Sequence, residues 1–270
     1  MKIPQKVLFI SQEIHPYLPE SELADMGRNL PQTVQERGRE IRTFMPKFGA
    51  INERRNQLHE VIRLSGMNLI IDDTDHPLII KVASIQAARM QVYFIDNEDY
   101  FRRINTIADD NGEEYDDNDE RAIFFARGVM ETVKKLRWTP DVIHCQGWLA
   151  ALAPLYIKKA YNDDPFFKNS KVVYSLFNDR FEKPFRNSFV NKLLLEGIDE
   201  QDIAILKNNT IDYDILTKLA IEHSDAVVES SPNVSADLLN YAKTKKKTIL
   251  LHQPSENYGE EFVKFYDSLV

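Results

Sequence analysis

Short apolar runs alternate with amphipathic helical segments along this chain, and this alternation constrains the fold more than any other feature. Residues 6–10 form a compact apolar run bounded by polar residues, which is typical of a buried parallel strand. Apolar residues at helical spacing follow over 23–37, and Gly38 is expected to end that helix. Residues 40–45 alternate as a second strand. Together these segments predict a βαβ unit with a right-handed crossover.

The rest of the chain repeats the pattern after a β-rich stretch. Four short runs predict hairpins at 60–64, 67–71, 78–84 and 91–95. Further strands are predicted at 141–144, 171–177, 226–230 and 249–251. Further helices are predicted at 120–136, 149–160, 216–223, 233–242 and 260–269. We therefore predict an α/β fold, with a doubly wound, mostly parallel sheet in one domain and a β-hairpin insertion over 58–95.

Charge and hydropathy exclude several classes of partner. The chain has 34 Lys and Arg against 42 Asp and Glu, a net charge of −8, which argues against general binding to nucleic acid or to anionic membranes. The dense basic run at 243–247 is interpreted as a solvated helix end or turn. The apolar stretches are too short to cross a bilayer, and residues 1–5 lack signal-peptide features. We expect neither nucleic acid nor a membrane as partner.

Cysteine and histidine content gives no sign of a metal or thiol site. A single cysteine, Cys145, excludes an internal disulfide and predicts a reducing, cytoplasmic location. His144 and Cys145 are adjacent in a predicted strand, so their side chains point to opposite faces and cannot chelate one metal. Nothing in the sequence places a base beside the thiol. The acidic segment 109–120 matches no calcium loop and is interpreted as solvated surface. We predict no metal and no cofactor.

Ligands of doubly wound sheets bind beyond the carboxyl ends of the strands. The segments that should meet there are 11–25, 145–148, 177–181 and 230–233. The first lacks the glycines and lysine of a phosphate-binding loop, and instead carries prolines, which have no N–H to donate, and two carboxylates. It suits a helix start, with Ser21 as N-cap, Glu22 complementing the helix dipole and Asp25 in the first turn. Direct contact with a ligand is the alternative.

Two other segments leave two interpretations open. Trp148, after the strand that carries His144, either stacks on a sugar ring or packs a loop onto the domain. Residues 177–181 mix aromatic and hydrogen-bonding groups, a combination that suits carbohydrate. Turn chemistry explains Asn178 and Asp179 equally well.

A series of short motifs runs from residue 6 to about residue 240. They are residues 6–13, Pro16, 23–25, 30–31, 92–97, 100–101, 109–112, 117–121, 140–144, Trp148, 150–154 and 230–232. In this order they resemble the N-terminal domain of bacterial glycogen synthase and plant starch synthase. These are ADP-glucose-dependent enzymes of glycosyltransferase family five with the GT-B fold. The resemblance implies a single Rossmann-like domain of that fold over residues 1–270.

The chain departs from the family at its functional motifs. The family's donor loop, Lys-x-Gly-Gly-Leu, is here Pro-Glu-Ser-Glu-Leu at 19–23. The family's His-Asp-Trp is Gln-Gly-Trp at 146–148, and its Thr-Ile-His-Asn, which holds an active-site histidine, is Ser-Leu-Phe-Asn at 175–178. Cationic and hydrogen-bonding groups that would hold the donor are therefore replaced.

The resemblance implies, by lineage, a glucosyltransferase domain for α-1,4-glucan synthesis. We expect the second GT-B domain to be absent and the isolated chain to be inactive, because nothing would neutralise the leaving diphosphate. The alternative is a non-catalytic accessory protein that binds glucan or a synthase. The expected ligands are α-glucan or ADP-glucose, and a separately encoded synthase chain is a possible partner.

The resemblance and the loop positions together suggest a set of site residues. We expect these residues to bind substrate and not to act as acid or base, since the resemblance implies retaining GT-B transfer, which relies on stabilising the leaving group. We expect Asp25 and Asn178 to hydrogen-bond glucosyl hydroxyls and Trp148 to shape the glucan side. Glu13 is expected at the crevice mouth. Ser21 and Glu22 occupy the donor-loop positions.

The last segment, 254–270, carries an apolar stripe at helical spacing formed by Phe262, Phe265, Tyr266 and Leu269. In GT-B enzymes the final helix of the chain packs back on the N-terminal domain. We expect this helix to cover the same surface.

Overall fold

A computed structural model describes residues 6–254 and 258–270. The strands are β1 (Lys6–Ser11), β2 (Glu40–Pro46), β3 (His59–Glu60), β4 (Met67–Ile71), β5 (Thr74–Ile85), β6 (Met90–Asp96), β7 (Val142–Gln146), β8 (Lys171–Leu176), β9 (Ala226–Glu229) and β10 (Thr248–Leu250). The helices are α1 (Glu22–Glu36), α2 (Glu98–Phe101), α3 (Asn118–Leu136), α4 (Ala153–Lys158), α5 (Phe189–Lys192), α6 (Tyr213–His223), α7 (Ala236–Thr244) and α8 (Tyr258–Leu269). Within these residues no helix is long and apolar enough to cross a membrane.

The central sheet has the strand order β10-β9-β8-β7-β1-β2-β6-β5-β3. Pairing is parallel from β10 to β6, and β5 pairs antiparallel with β6, β3 and β4. This arrangement confirms the predicted doubly wound, mostly parallel α/β sheet with a hairpin insertion. Of the four short β runs, the last, β6, pairs parallel with β2, with Val92 opposite Thr43, whereas the pairs that β3, β4 and β5 make are antiparallel. The hairpin excursion therefore consists of β3, β4 and β5.

Helix α1 begins and ends as its sequence predicts. Ser21 is the N-cap, and its side-chain oxygen accepts a hydrogen bond from the Ala24 N–H. Leu23, Leu30 and Val34 form the buried face. Gly38 follows the helix with a φ of +81°, a left-handed conformation that favours glycine.

The predicted helix over 149–160 is shorter in the structure. A single 3₁₀ turn covers Trp148–Ala150, and α4 begins only at Ala153. Pro154 lies in the first turn of α4, and it has no N–H to continue a helix that comes from residue 149.

The two faces of the sheet are covered by different helices. The chain moves from β1 through α1 to β2 in one direction across the sheet, and from β7 through α4, α6 and α7 to β10 in the other. Right-handed crossovers therefore place α1 opposite α4, α6 and α7. Helix α8 contacts α1 and buries Phe262 and Tyr266 against His144 of β7, so it lies on the α1 face.

Candidate functional site

The carboxyl ends of β1, β7, β8 and β9 meet at one edge of the sheet. Ser11 pairs with Gln146, Gln146 with Ser175, and Leu176 with Glu229. The four loops that follow these strands therefore lie side by side, as the sequence predicts. We call the space between these loops and the start of α1 the crevice.

The loop between β1 and α1 forms the first wall of the crevice. The Ser21 hydroxyl donates to Glu13 Oε2 at 2.8 Å and accepts from the Ala24 N–H at 3.0 Å. The same hydroxyl thus caps α1 and fixes the Glu13 carboxylate.

We expect Ser21→Ala to lower the free energy of unfolding by about 1 kcal/mol, because the first turn of α1 loses its cap. Chemical denaturation measures this change. Ser21→Thr keeps a capping hydroxyl and serves as the control. Equal stability of Ser21→Ala and the parent chain would show that the cap contributes nothing.

A buried glutamine, which the sequence does not single out, joins the β1 and β7 loops. The Leu149 N–H donates to Gln12 Oε1 at 3.0 Å, and the Gln12 N–H donates to the Gln146 carbonyl at 3.0 Å. Gly147 has a φ of +87°, and a Cβ there would lie 2.6 Å from Gln12 Cβ. The close approach and the positive φ both require glycine at 147. Gly147, which replaces the Asp of the family's His-Asp pair, thus serves tight loop packing.

Asp179 holds the β7 and β8 loops together and was likewise not predicted as a site residue. Its carboxylate accepts from the Trp148 N–H at 2.9 Å and from the Tyr213 hydroxyl at 2.8 Å. Burial raises the pKa of Asp179, although these hydrogen bonds oppose the rise. Asp179 supports the loop that presents Asn178.

Trp148 lies beneath this loop with none of its surface exposed. Its ring makes edge contacts with Phe181 and Phe185, at centroid distances of 5.0 and 5.9 Å. A side chain without an exposed face cannot stack on a sugar in this structure. The geometry therefore favours the packing interpretation of Trp148.

The other predicted residues lie around adjoining cavities. A cleft of about 250 Å³ is lined by Glu13, Ser21, Glu22, Leu23, Phe177, Asn178 and Asp179. It shares Glu13 and Ser21 with a groove of about 700 Å³, which extends towards the acidic segment 109–120. Asp25 lies apart from Asn178, in a pocket of about 360 Å³ that also contains Glu22 and Ser230. The structure thus brings together Glu13, Ser21, Glu22 and Asn178. Asp25 shares a pocket with Glu22 but not with Asn178.

The crevice is strongly acidic. Carboxylates reach these three cavities from Glu13, Glu20, Glu22, Asp25, Asp109, Asp110 and Asp179. Among the described residues that line them, none is a lysine or an arginine. The nearby Arg180 is paired with Asp214 at 2.8 Å. An anion in the crevice would therefore meet negative charge without a compensating cation.

His144 and Cys145 are buried away from the crevice. His144 Nδ1 lies 2.6 Å from the Tyr266 hydroxyl, and its Nε2 lies 2.6 Å from the Ser175 hydroxyl. Burial lowers the pKa of His144 to about 3 and raises that of the Cys145 thiol. In the part of the chain that the structure describes, no three His, Cys, Asp or Glu side chains are placed to hold a metal ion.

Comparison with known proteins gives a consistent result. The sequence profile of the starch synthase catalytic domain matches residues 6–252. The glycogen synthase of Chlorobium luteolum is 36% identical over 230 residues, which are 83% of this chain and 47% of that protein. The glycogen synthase of Chlorobaculum tepidum is 37% identical over 237 residues, 87% of this chain and 47% of that protein. The chain thus spans about half the length of these relatives.

Among solved structures, the catalytic domain of starch synthase IV from Arabidopsis thaliana, bound to ADP and acarbose, superposes with a TM-score of 0.74. Its sequence identity is 17%, and the match covers 94% of this chain and 53% of that one. At this identity the likeness concerns the fold, and it agrees with the sheet order described above.

Proposed function

This chain belongs to the family of starch synthase catalytic domains, and we propose that it binds α-glucan in the crevice without itself transferring glucose from ADP-glucose. It is by lineage a glucosyltransferase domain for α-1,4-glucan synthesis. In this proposal it acts as a non-catalytic accessory protein that keeps the carbohydrate side of the family's site and has lost the phosphate side.

The acidic crevice carries the proposal. Two like charges 5 Å apart repel by about 3 kcal/mol at an effective dielectric constant of about 20. Glu20 and Glu22 occupy the loop where the family has a lysine and glycines. Transfer requires groups that stabilise the departing diphosphate in a closed site. Carboxylates at the loop repel the negatively charged diphosphate, so we expect ADP-glucose to bind weakly.

A neutral sugar does not suffer this repulsion. Sugar hydroxyls can donate to Glu13 and Asp179, while the exposed Asn178 side chain both donates and accepts. Phe177 adds an apolar surface to the same cleft. Such a mixture suits carbohydrate, which offers apolar faces ringed by hydroxyls. The starch synthase IV domain whose fold this chain shares is bound to acarbose.

Two measurements on the purified 270-residue chain test the proposal. Incubation with radiolabelled ADP-glucose and a glycogen primer is expected to give no incorporation, and calorimetry is expected to detect maltotetraose but not ADP-glucose. Asn178→Ala should weaken maltotetraose binding. Glucose incorporation by this chain alone would refute the non-catalytic assignment, and failure to bind maltotetraose would refute glucan binding.

An enzymatic role is the second candidate function. Because the crevice is acidic, this role needs cationic groups that would stabilise the leaving diphosphate. Cations would have to come from outside the described lining, for example from a separately encoded synthase chain. Incorporation that depends on such a chain and is lost in Asn178→Ala would favour this candidate. The single cysteine supports a cytoplasmic location for either role.

A further inference from the structure

A second groove, of about 590 Å³, lies on the outer side of the aromatic residues that surround Trp148. It is formed by the segment 185–190 and the loop 206–211. The Phe185 N–H donates to the Ile211 carbonyl at 2.8 Å and joins the two segments. We call it the amide groove, and its volume lies within the roughly 300–1,000 Å³ of small-molecule sites.

The rim of the amide groove carries neutral hydrogen-bonding groups. Asn187, Asn208, Asn209 and Thr210 are exposed along it. Asn209 Nδ2 donates to the Ile205 carbonyl at 2.8 Å and to the Lys207 carbonyl at 3.4 Å, so its amide oxygen is the group that can still accept from a ligand. The side-chain amides of Asn187 and Asn208 make no hydrogen bond to other described residues, so both can serve a ligand.

The amide groove differs from the crevice in charge. Among its described lining residues there is no carboxylate, and Lys207 is paired with Glu200 at 2.7 Å. The groove therefore offers no net attraction to a free anion or cation. Neutral amides and a hydroxyl are the groups that recognise a neutral polyol.

The floor of the groove is apolar and firmly held. Phe185, Leu206 and Ile211 are each less than 10% exposed. Phe185 stacks on Phe181 at a centroid distance of 4.8 Å and packs against Trp148. These side chains are too buried to stack on a sugar ring, so their role is to hold the amide rim in place, and a ligand would bind mainly through hydrogen bonds to that rim.

We propose that the amide groove is a second binding subsite for a neutral oligosaccharide, separate from the crevice. Its assignment to α-glucan rests on the proposed function, whereas the preference for an uncharged, hydroxyl-rich ligand rests on the groove itself. Two subsites on one glucan chain would act together through effective concentration, so a longer oligosaccharide would bind more tightly than a short one.

The test is a maltotetraose titration of the full chain, followed by the backbone amide NMR signals of residues 207–211 and of 177–179. We expect the first group to shift with its own affinity. The double variant Asn187→Ala, Asn208→Gly should weaken that affinity about tenfold, by removing two hydrogen-bonding amides of about 0.5–1.5 kcal/mol each. Glycine is chosen at 208 because Asn208 has a φ of +62°, where alanine would be strained.

Control variants distinguish binding in the amide groove from binding in the crevice. Asn162→Ala removes an exposed asparagine outside both sites and should change neither group of signals. Asn178→Ala should weaken the shifts of residues 177–179 only. If the double variant fails to fold, the single variant Asn187→Ala still tests the amide groove. Shifts at 177–179 alone would overturn the amide groove and leave the crevice. Shifts at 207–211 alone would overturn glucan binding in the crevice and support the amide groove. If neither group of signals shifts, both binding proposals fail.

Discussion

Replacing Phe262 by alanine is expected to lower the free energy of unfolding by about 3–5 kcal/mol. Phe262 is 1% exposed, and its ring stacks on His144 at a centroid distance of 5.8 Å and meets Tyr266 at 6.1 Å. Truncation leaves a cavity between α8 and the sheet. It also removes packing that holds the Tyr266 hydroxyl in its hydrogen bond with His144 Nδ1. Urea unfolding followed by circular dichroism measures the change.

Lys264→Ala is the matched control on the solvent side of the same helix. Its side chain is 60% exposed and, among the residues that the structure describes, pairs with Glu260 and Glu261, so the substitution should change stability by less than about 0.5 kcal/mol. Deleting residues 254–270 should uncover the whole apolar face and increase binding of a hydrophobic dye. A Phe262→Ala variant as stable as Lys264→Ala would mean that α8 is not part of the cooperative core.

The buried stripe of α8 follows from its own spacing, whereas the surface that it covers was expected only from the family resemblance. The spacing of Phe262, Phe265, Tyr266 and Leu269 predicts one face, and the structure buries the first three and leaves Leu269 half-buried. The partner of this face depends on which side of the sheet each crossover takes. His144 and Tyr266 are 122 residues apart, and neither has a local pattern that marks the other.

Most of the sheet follows from patterns within single segments. The buried runs of β1 and β8 are mostly apolar, with Ser175 interrupting the second, and the predicted bounds agree with the structure to within a residue or two. The predicted and observed bounds differ where contacts with a neighbouring strand, and not the segment's own sequence, stabilise the element. Strand β5 begins at Thr74 and includes Pro77, because pairing with β4 extends it beyond its apolar run. Helices α2 and α5 are four residues long and carry no periodicity to detect.

The candidate site shows the same division. The meeting of four loops follows from strand order, because the carboxyl ends of parallel strands share one edge. The supports of these loops, Gln12 and Asp179, were missed because each accepts from a backbone N–H, of Leu149 and of Trp148 respectively. A backbone donor leaves no signature in the side-chain sequence. The packing role of Trp148 likewise depends on Phe181 and Phe185, whose positions only the folded loop defines.

If negative charge weakens nucleotide binding as we propose, rebuilding the donor loop should create affinity for ADP. The variant Pro19→Lys, Ser21→Gly, Glu22→Gly restores the family's Lys-x-Gly-Gly pattern. It adds one lysine and removes one glutamate, a change of two charge units at the crevice. The stability cost is modest, because glycine is an acceptable N-cap and loses only a few tenths of a kcal/mol against serine. Glycine at 22 costs up to about 1 kcal/mol of helix propensity.

We expect the rebuilt loop to bind ADP at least about 100-fold more tightly than the parent chain, since one charge contact of about 3 kcal/mol is worth that factor. Calorimetry with ADP alone measures the gain without requiring transfer. Glu196→Lys changes the net charge by the same two units on an exposed residue outside the crevice lining, and it should leave ADP affinity unchanged. Equal gains in both variants would attribute the effect to net charge. No gain in either would show that the loop carboxylate and the missing lysine are not what keeps ADP out, and the electrostatic basis of the proposed function would fail.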